Sequence, residues 1–242
     1  MLVPALTGIF FLSAVSGGAG MLVRPLLMWL LGLPPALAVG TARLGHFGAR
    51  FASIVQFHRT KRLDWRAGAL FLLPSAVGGV LGTYLTASLP GDVLLRAMGV
   101  MLLVVALLSV WKPEAGIRER VAAPGTVGKV LTFCSFIVSN IVAATVGGAG
   151  VLATYALIAF HRETYISAAA IRAVAGLGGA IASSIGFIAL GLVSWQHVPL
   201  VFVCAAVGNW LGVRWGIRKG NKAVRILTLV VVCAVGVRML LF

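Results

Sequence analysis

Ser16-Gly17-Gly18-Ala19-Gly20 and Val146-Gly147-Gly148-Ala149-Gly150 interrupt two long apolar stretches, 3 to 33 and 130 to 160, at corresponding places. Contiguous glycines break a helix, since each costs about 1 kcal/mol relative to alanine in a helix interior. The first stretch is thereby cut into two pieces, each short of the roughly 20 residues that a helix needs to cross a hydrocarbon core. Three spanning candidates follow each broken stretch, at about 35 to 57, 65 to 88 and 92 to 111, and again at about 164 to 190, 194 to 217 and 221 to 241. A polar connector, 112 to 129, separates the halves and carries Glu114, Arg118, Glu119 and Arg120. The expected organisation is a first transmembrane repeat at 1–111, a cytoplasmic connector at 112–129 and a second repeat at 130–242.

The second half repeats the first. GGAG at 17–20 recurs at 147–150, Trp65 recurs as Trp195, and Val77-Gly78 with Gly82 recurs as Val207-Gly208 with Gly212, all displaced by 130 positions. At a displacement of 129, Arg43 falls on Arg172. Matches that keep order and spacing over the whole chain indicate internal duplication.

Loop charges orient the halves, because short loops rich in Lys and Arg stay cytoplasmic. In the first half the basic loop is the one carrying His58, Arg59, Lys61, Arg62 and Arg66, and the next, 88 to 91, has no cation. In the second half the order is swapped: 191 to 194 is uncharged, and the next loop carries Arg214, Arg218, Lys219, Lys222 and Arg225. Opposite orientation requires an odd number of crossings per half. Three full spans supply that, so each glycine-broken stretch is expected to be a re-entrant hairpin that adds no net crossing. The predicted fold is an all-α polytopic membrane protein of two inverted repeats, each a broken hairpin plus three transmembrane helices. Both termini come out periplasmic, in the bacterial inner (plasma) membrane.

Composition agrees. The 242 residues are 60% hydrophobic and only 10% charged, with mean hydropathy +1.06, well outside the range of a soluble domain. The N-terminus lacks a basic region and a small-residue cleavage site, so it reads as mature membrane sequence. The net charge of +15 comes from dispersed cations, not from one basic face with aromatics, which excludes nucleic acid as a partner. Cys134, Cys204 and Cys233 lack metal-ligand spacing, and neither a metal nor another cofactor is expected.

All five acidic residues, Asp64, Asp92, Glu114, Glu119 and Glu163, fall in loops or at span ends, whereas Arg24, Arg43, Arg50 and Arg172 lie inside apolar segments. An arginine at a helix centre costs at least about 2.5 kcal/mol on the insertion scale, and no carboxylate is at hand to offset it. A small anionic substrate would supply the partner. Arg43 and Arg172 sit at similar depths in corresponding helices and are expected to approach one another near the midplane. A guanidinium fork suits a two-oxygen anion such as a carboxylate, sulfite or sulfonate. The breaks at Gly17, Gly18, Gly20, Gly147, Gly148 and Gly150 add free backbone N–H groups and helix N-termini. Thr41, Arg24 and the Arg43-facing pair His46 and Arg50 complete the candidate substrate-binding set. Arg43 and Arg172 have an alternative role, bonding carbonyls freed by the breaks, and Arg50 and His46 could instead snorkel or bond backbone. Gly78, Gly79, Gly82, Gly208 and Gly212 read as helix-packing positions.

GGAG, the Pro25 that follows it, the run Gly32-Leu33-Pro34-Pro35-Ala36-Leu37-Ala38-Val39-Gly40-Thr41 and the basic loop ending in Asp64-Trp65 together resemble the sulfite exporter TauE/SafE family of transporters. The resemblance implies two inverted repeats and transport of sulfite, sulfonates or related organosulfur anions. Where family members commonly carry a serine after the Val-Gly-Thr element, this chain has Ala42-Arg43. An inside-negative potential drives an anion outward by about 2.3 kcal/mol per charge per 100 mV, which favours export by alternating access without a coupling ion. Other readings are proton-coupled uptake through His46, an anion channel, or a membrane enzyme acting on phosphorylated lipid. The last lacks a nucleophile and base set, so no catalytic residues are assigned.

Overall fold

The computed structural model describes residues 2–16, 23–94, 96, 100, 125–147 and 150–240. Gly17, Gly18, Gly20, Gly148, connector residues 112–124 and most of the span expected at 92–111 lie outside the described residues. Nine α-helices are found among those described: α1 (Leu2–Ser16), α2 (Val23–Leu31), α3 (Pro35–Arg59), α4 (Trp65–Leu70), α5 (Leu72–Ser88), α6 (Thr126–Thr145), α7 (Gly150–Phe160), α8 (Tyr165–Ala189) and α9 (Val198–Leu240). Three helical segments, Thr126–Thr145, Tyr165–Ala189 and Val198–Gly220, are long and apolar enough to cross a membrane. Among the described residues all regular structure is helical, as suits a chain that crosses a membrane several times.

The second interrupted stretch is broken at Gly147 (φ 92°), and the first holds two helices on either side of residues outside the described set. α1 has 15 residues and α2 has 9. α6, however, begins at Thr126, ahead of the position expected from the sequence, and its 20 residues reach about 30 Å at 1.5 Å per residue. The 11-residue α7 does not. The expected 65–88 span is two helices, meeting at Phe71 (φ −100°, ψ 6°). Pro74, in the first turn of α5, has no N–H for the Leu70 carbonyl, and its ring excludes that carbonyl from a regular helix. α9 runs through both of the final stretches expected to span, interrupted at Gly220, whose φ of 79° is not helical.

The duplication is visible in backbone conformation. α3 and α8 each have 25 residues, and their limits are displaced by 130 positions at both ends. Positive φ angles recur at the same displacement: Gly32 (63°) with Arg162 (62°), and Lys61 (55°) with Gly191 (67°). The last pair closes α3 and α8 identically. Lys61 N–H donates to His58 O and Arg62 N–H to Phe57 O, while Gly191 N–H donates to Ile188 O and Leu192 N–H to Phe187 O. This is the left-handed C-cap in which glycine is the favoured residue. Lys61 and Arg162 pay for a conformation that disfavours side chains by about 1 kcal/mol. Lys61→Gly and Arg162→Gly are expected to leave stability unchanged or raise it by up to about 1 kcal/mol. Thermal unfolding in detergent checks this, and a lower Tm in both variants would refute it.

α3 and α8 run antiparallel against each other. Val39 and Leu44 near the start of α3 pack with Phe187 at the end of α8 and with Val193 in the loop beyond it. Phe57 at the end of α3 packs with Ile166 and Ala170 at the start of α8, together with Val213 of α9. The basic end of α3 therefore sits beside the basic part of α9, where Arg59 lies 5.6 Å over the Trp210 ring. At the opposite end the Ser194 N–H donates to Thr41 Oγ1 at 2.9 Å.

Glycines set the remaining crossings, and the contacts are mutual between halves. A Cβ at Gly78 or Gly82 of α5 would strike the carbonyls of Ile137 and Ile141 of α6. At Gly208 or Gly212 of α9 it would strike those of Thr7 and Phe11 of α1. Gly48 of α3 faces Phe202 O of α9, and Gly178 of α8 faces Leu72 O of α5. Each contact has its counterpart 130 residues on, as the packing reading of Gly78, Gly82, Gly208 and Gly212 requires.

Candidate functional site

A cavity of about 130 Å³ lies where α1, α2, α3, α6, α7, α8 and α9 converge, and Arg24, Arg43, Arg50 and Arg172 all line it. It also takes in His46, Gly147 and Gly150, so seven residues singled out from sequence meet in one place. Thr41 is elsewhere: its hydroxyl donates to Leu37 O and accepts from Ser194, tying α3 to the 191–197 loop.

Two of the arginines are almost wholly withdrawn from solvent, Arg24 at 2% exposure and Arg43 at 5%. Arg24 Nη2 donates to Ala143 O of α6, and Arg43 Nε donates to Ser183 Oγ of α8 at 2.6 Å. The Ser183 hydroxyl in turn donates to Gly179 O at 2.6 Å, so toward Arg43 its oxygen acts as the acceptor. Arg24 Nε, Arg24 Nη1 and Arg43 Nη2 have no hydrogen-bond partner. Unpaired buried donors on a charged group are costly, by several kcal/mol per charge left uncompensated. Arg50 Nη1 donates to Arg172 O at 3.3 Å, drawing α3 and α8 together within the cavity wall. Bonds to backbone carbonyls are thus made by Arg24 and Arg50, using only part of their donor capacity, whereas Arg43, for which such a role was the alternative, bonds a serine side chain.

The glycines beside these groups make room for them. Gly147 has φ +92°, and a Cβ there would lie 2.6 Å from Arg24 Nη1. A Cβ at Gly176 would overlap the Arg50 guanidinium. Gly147 therefore does more than end α6.

The equal limits of α3 and α8 make Ala173 the counterpart of Arg43, and Ala42 the counterpart of Arg172. The displacement of 129 that paired the two arginines is one residue out of register. They still reach one cavity because both helices turn that side toward it.

Sequence reading missed Ser13, Ser53, Ser139, Asn140 and Asn209, which supply the uncharged polar lining. Asn209 Nδ2 donates to Ala49 O at 2.6 Å and to Ser53 Oγ, and Asn140 Nδ2 to Phe136 O at 2.9 Å. An isolated amide within an apolar run was the available signal. Among the described residues no acidic side chain lines the cavity. Asp64 caps α4 through Ala67 N–H, and Glu163 accepts from Ser167 Oγ and stands 3.5 Å from His161 Nδ1.

Broken helices around a polar chamber are the construction of multi-pass membrane transport proteins, because irregular backbone at membrane depth is tolerated only where protein or a cavity surrounds it. Residues 2–239 match the family described as Sulfite exporter TauE/SafE, and the chain belongs to that family of membrane transporters. It is similar to the Probable membrane transporter protein ORF9 of Sinorhizobium sp, with 27% identity over 95% of this chain and 87% of that protein. It is also similar to a Probable membrane transporter protein of Haemophilus influenzae (24% identity, 89% and 84% covered) and to the Probable membrane transporter protein YfcA of Escherichia coli K12 (24%, 99% and 91%). No solved structure matches.

Proposed function

We propose that this chain carries a small sulfur oxyanion or organosulfonate out across the bacterial inner membrane, binding it in the arginine-lined cavity, and that it is not an enzyme. The observation that carries the reading is the set of three unpartnered guanidinium nitrogens on Arg24 and Arg43, in a chamber with two further arginines. An oxyanion offers the acceptors that they lack. The sulfur chemistry comes from the family description. Two inverted repeats, each with a glycine-broken pair of helices, form the moving halves, and both termini are periplasmic. The mutual glycine contacts and the antiparallel course of α3 and α8 support inversion. Alternating access then rocks one half against the other about the cavity.

A thermal-shift panel of purified protein with sulfite, sulfate, thiosulfate, taurine, sulfoacetate and simple carboxylates tests the site. At least one sulfur oxyanion should raise Tm by a few degrees at saturating concentration, as ligand linkage requires. If no anion stabilises the protein, the substrate reading is wrong. Cysteine labelling in intact cells tests inversion, with positions 58–66 and 190–196 expected on opposite faces. Labelling from the same face would refute it.

A further inference from the structure

We propose that the chain is an anion exchanger, whose loaded form reorients readily and whose empty form does so far more slowly. This rests on the cavity being the substrate site and adds a coupling rule to it. The reason lies in the charge inventory of the chamber. Arg24, Arg43, Arg50 and Arg172 converge from three helices, and the described acidic residues are occupied or exposed elsewhere. Each of Arg24 and Arg43 keeps N–H donors without an acceptor.

Alternating access passes through a state closed on both sides. With an anion inside, that state holds compensated charge and satisfied donors. Without one, four like charges face each other in a small, poorly polarisable space, and the water that could screen them from either side is cut off. The penalty falls on the empty carrier alone. An anion that has been delivered must therefore be replaced, by another copy or by a competing small anion, before the carrier returns. A channel has no closed step, and its fluxes show no such asymmetry.

The test uses the full chain in proteoliposomes loaded with 35S-labelled sulfite, with the potential clamped at zero. Efflux is measured into medium containing either unlabelled sulfite or only gluconate, a polyol carboxylate bulky for a chamber of about 130 Å³. Exchange into sulfite should exceed net efflux into gluconate by roughly tenfold or more, since each 1.4 kcal/mol on the empty step is a factor of about ten. Equal rates in the two media overturn the exchange rule while leaving transport standing. No protein-dependent flux in either medium overturns the sulfite reading and this one together. Arg50→Gln, which removes one of the opposed charges, should narrow the ratio severalfold. An unchanged ratio in that variant would refute the electrostatic cause.

Discussion

Arg43→Gln should abolish anion stabilisation and yet leave the ligand-free protein as stable as before, or more so. The two effects have one source. Arg43 Nη2 is buried without a partner, and Nε is held by Ser183. In the empty chamber the side chain is a desolvated charge beside three others, and its removal relieves repulsion worth about 1 kcal/mol or more. In the occupied chamber it is one end of a desolvated ion pair, whose truncation costs about 2 to 4 kcal/mol, on the order of 30- to 1000-fold in affinity. Thermal unfolding with and without a saturating sulfur oxyanion separates these terms. A ligand-free Tm that drops by several degrees would show instead that Arg43 mainly clamps α3 to α8 through Ser183.

The second large effect concerns the crossings. Gly48→Val and Gly178→Val should each prevent accumulation of folded protein. At both positions the first added carbon meets a main-chain carbonyl, Phe202 O or Leu72 O, which no rotamer change can move aside. Overpacking of a well-filled contact costs about 1 to 3 kcal/mol even where side chains yield, and backbone does not yield. Gly8→Val is the control, since a Cβ there meets nothing within 4 Å, and it should change stability by less than about 0.5 kcal/mol. Fluorescence-detected size-exclusion of detergent extracts reads all three. A monodisperse peak of normal height for Gly48→Val or Gly178→Val would contradict the helix crossings described above.

Much of this was legible in the sequence because the determinants are local. The break at Gly147, whose φ is +92°, falls where the sequence suggests it, although the contiguous Gly78-Gly79 and Gly178-Gly179 stay helical inside α5 and α8, and a basic residue in an apolar run announces an unmet need for a partner. The duplication was legible because the same crossings recur, so Gly78 and Gly208 had to stay small for the same reason. Less legible was register. Matching Arg43 to Arg172 aligned residue types, whereas the true correspondence is fixed by helix ends, through caps at Lys61 and Gly191 that carry no common residue. The break at Phe71 needed the effect of Pro74 on its own helix to outweigh an unbroken apolar run. Asn140 and Asn209 were passed over because a lone amide within a span can serve packing or a cavity, and only the neighbouring helix decides which.

The glycine contacts also bear on how the chain is made. α5 of the first half finds its crossing partner in α6 of the second, and α1 finds its partner in α9. Translation proceeds at about 5 to 20 residues per second, so the small-residue faces of the early helices wait on the order of ten seconds for their complements to leave the ribosome. During that interval the first half is an incomplete object in the bilayer, with close-contact surfaces that fit helices not yet synthesised. The insertion machinery must hold it apart from other newly made chains, and a cell short of that capacity would lose this protein by misassembly before any defect in transport could be felt.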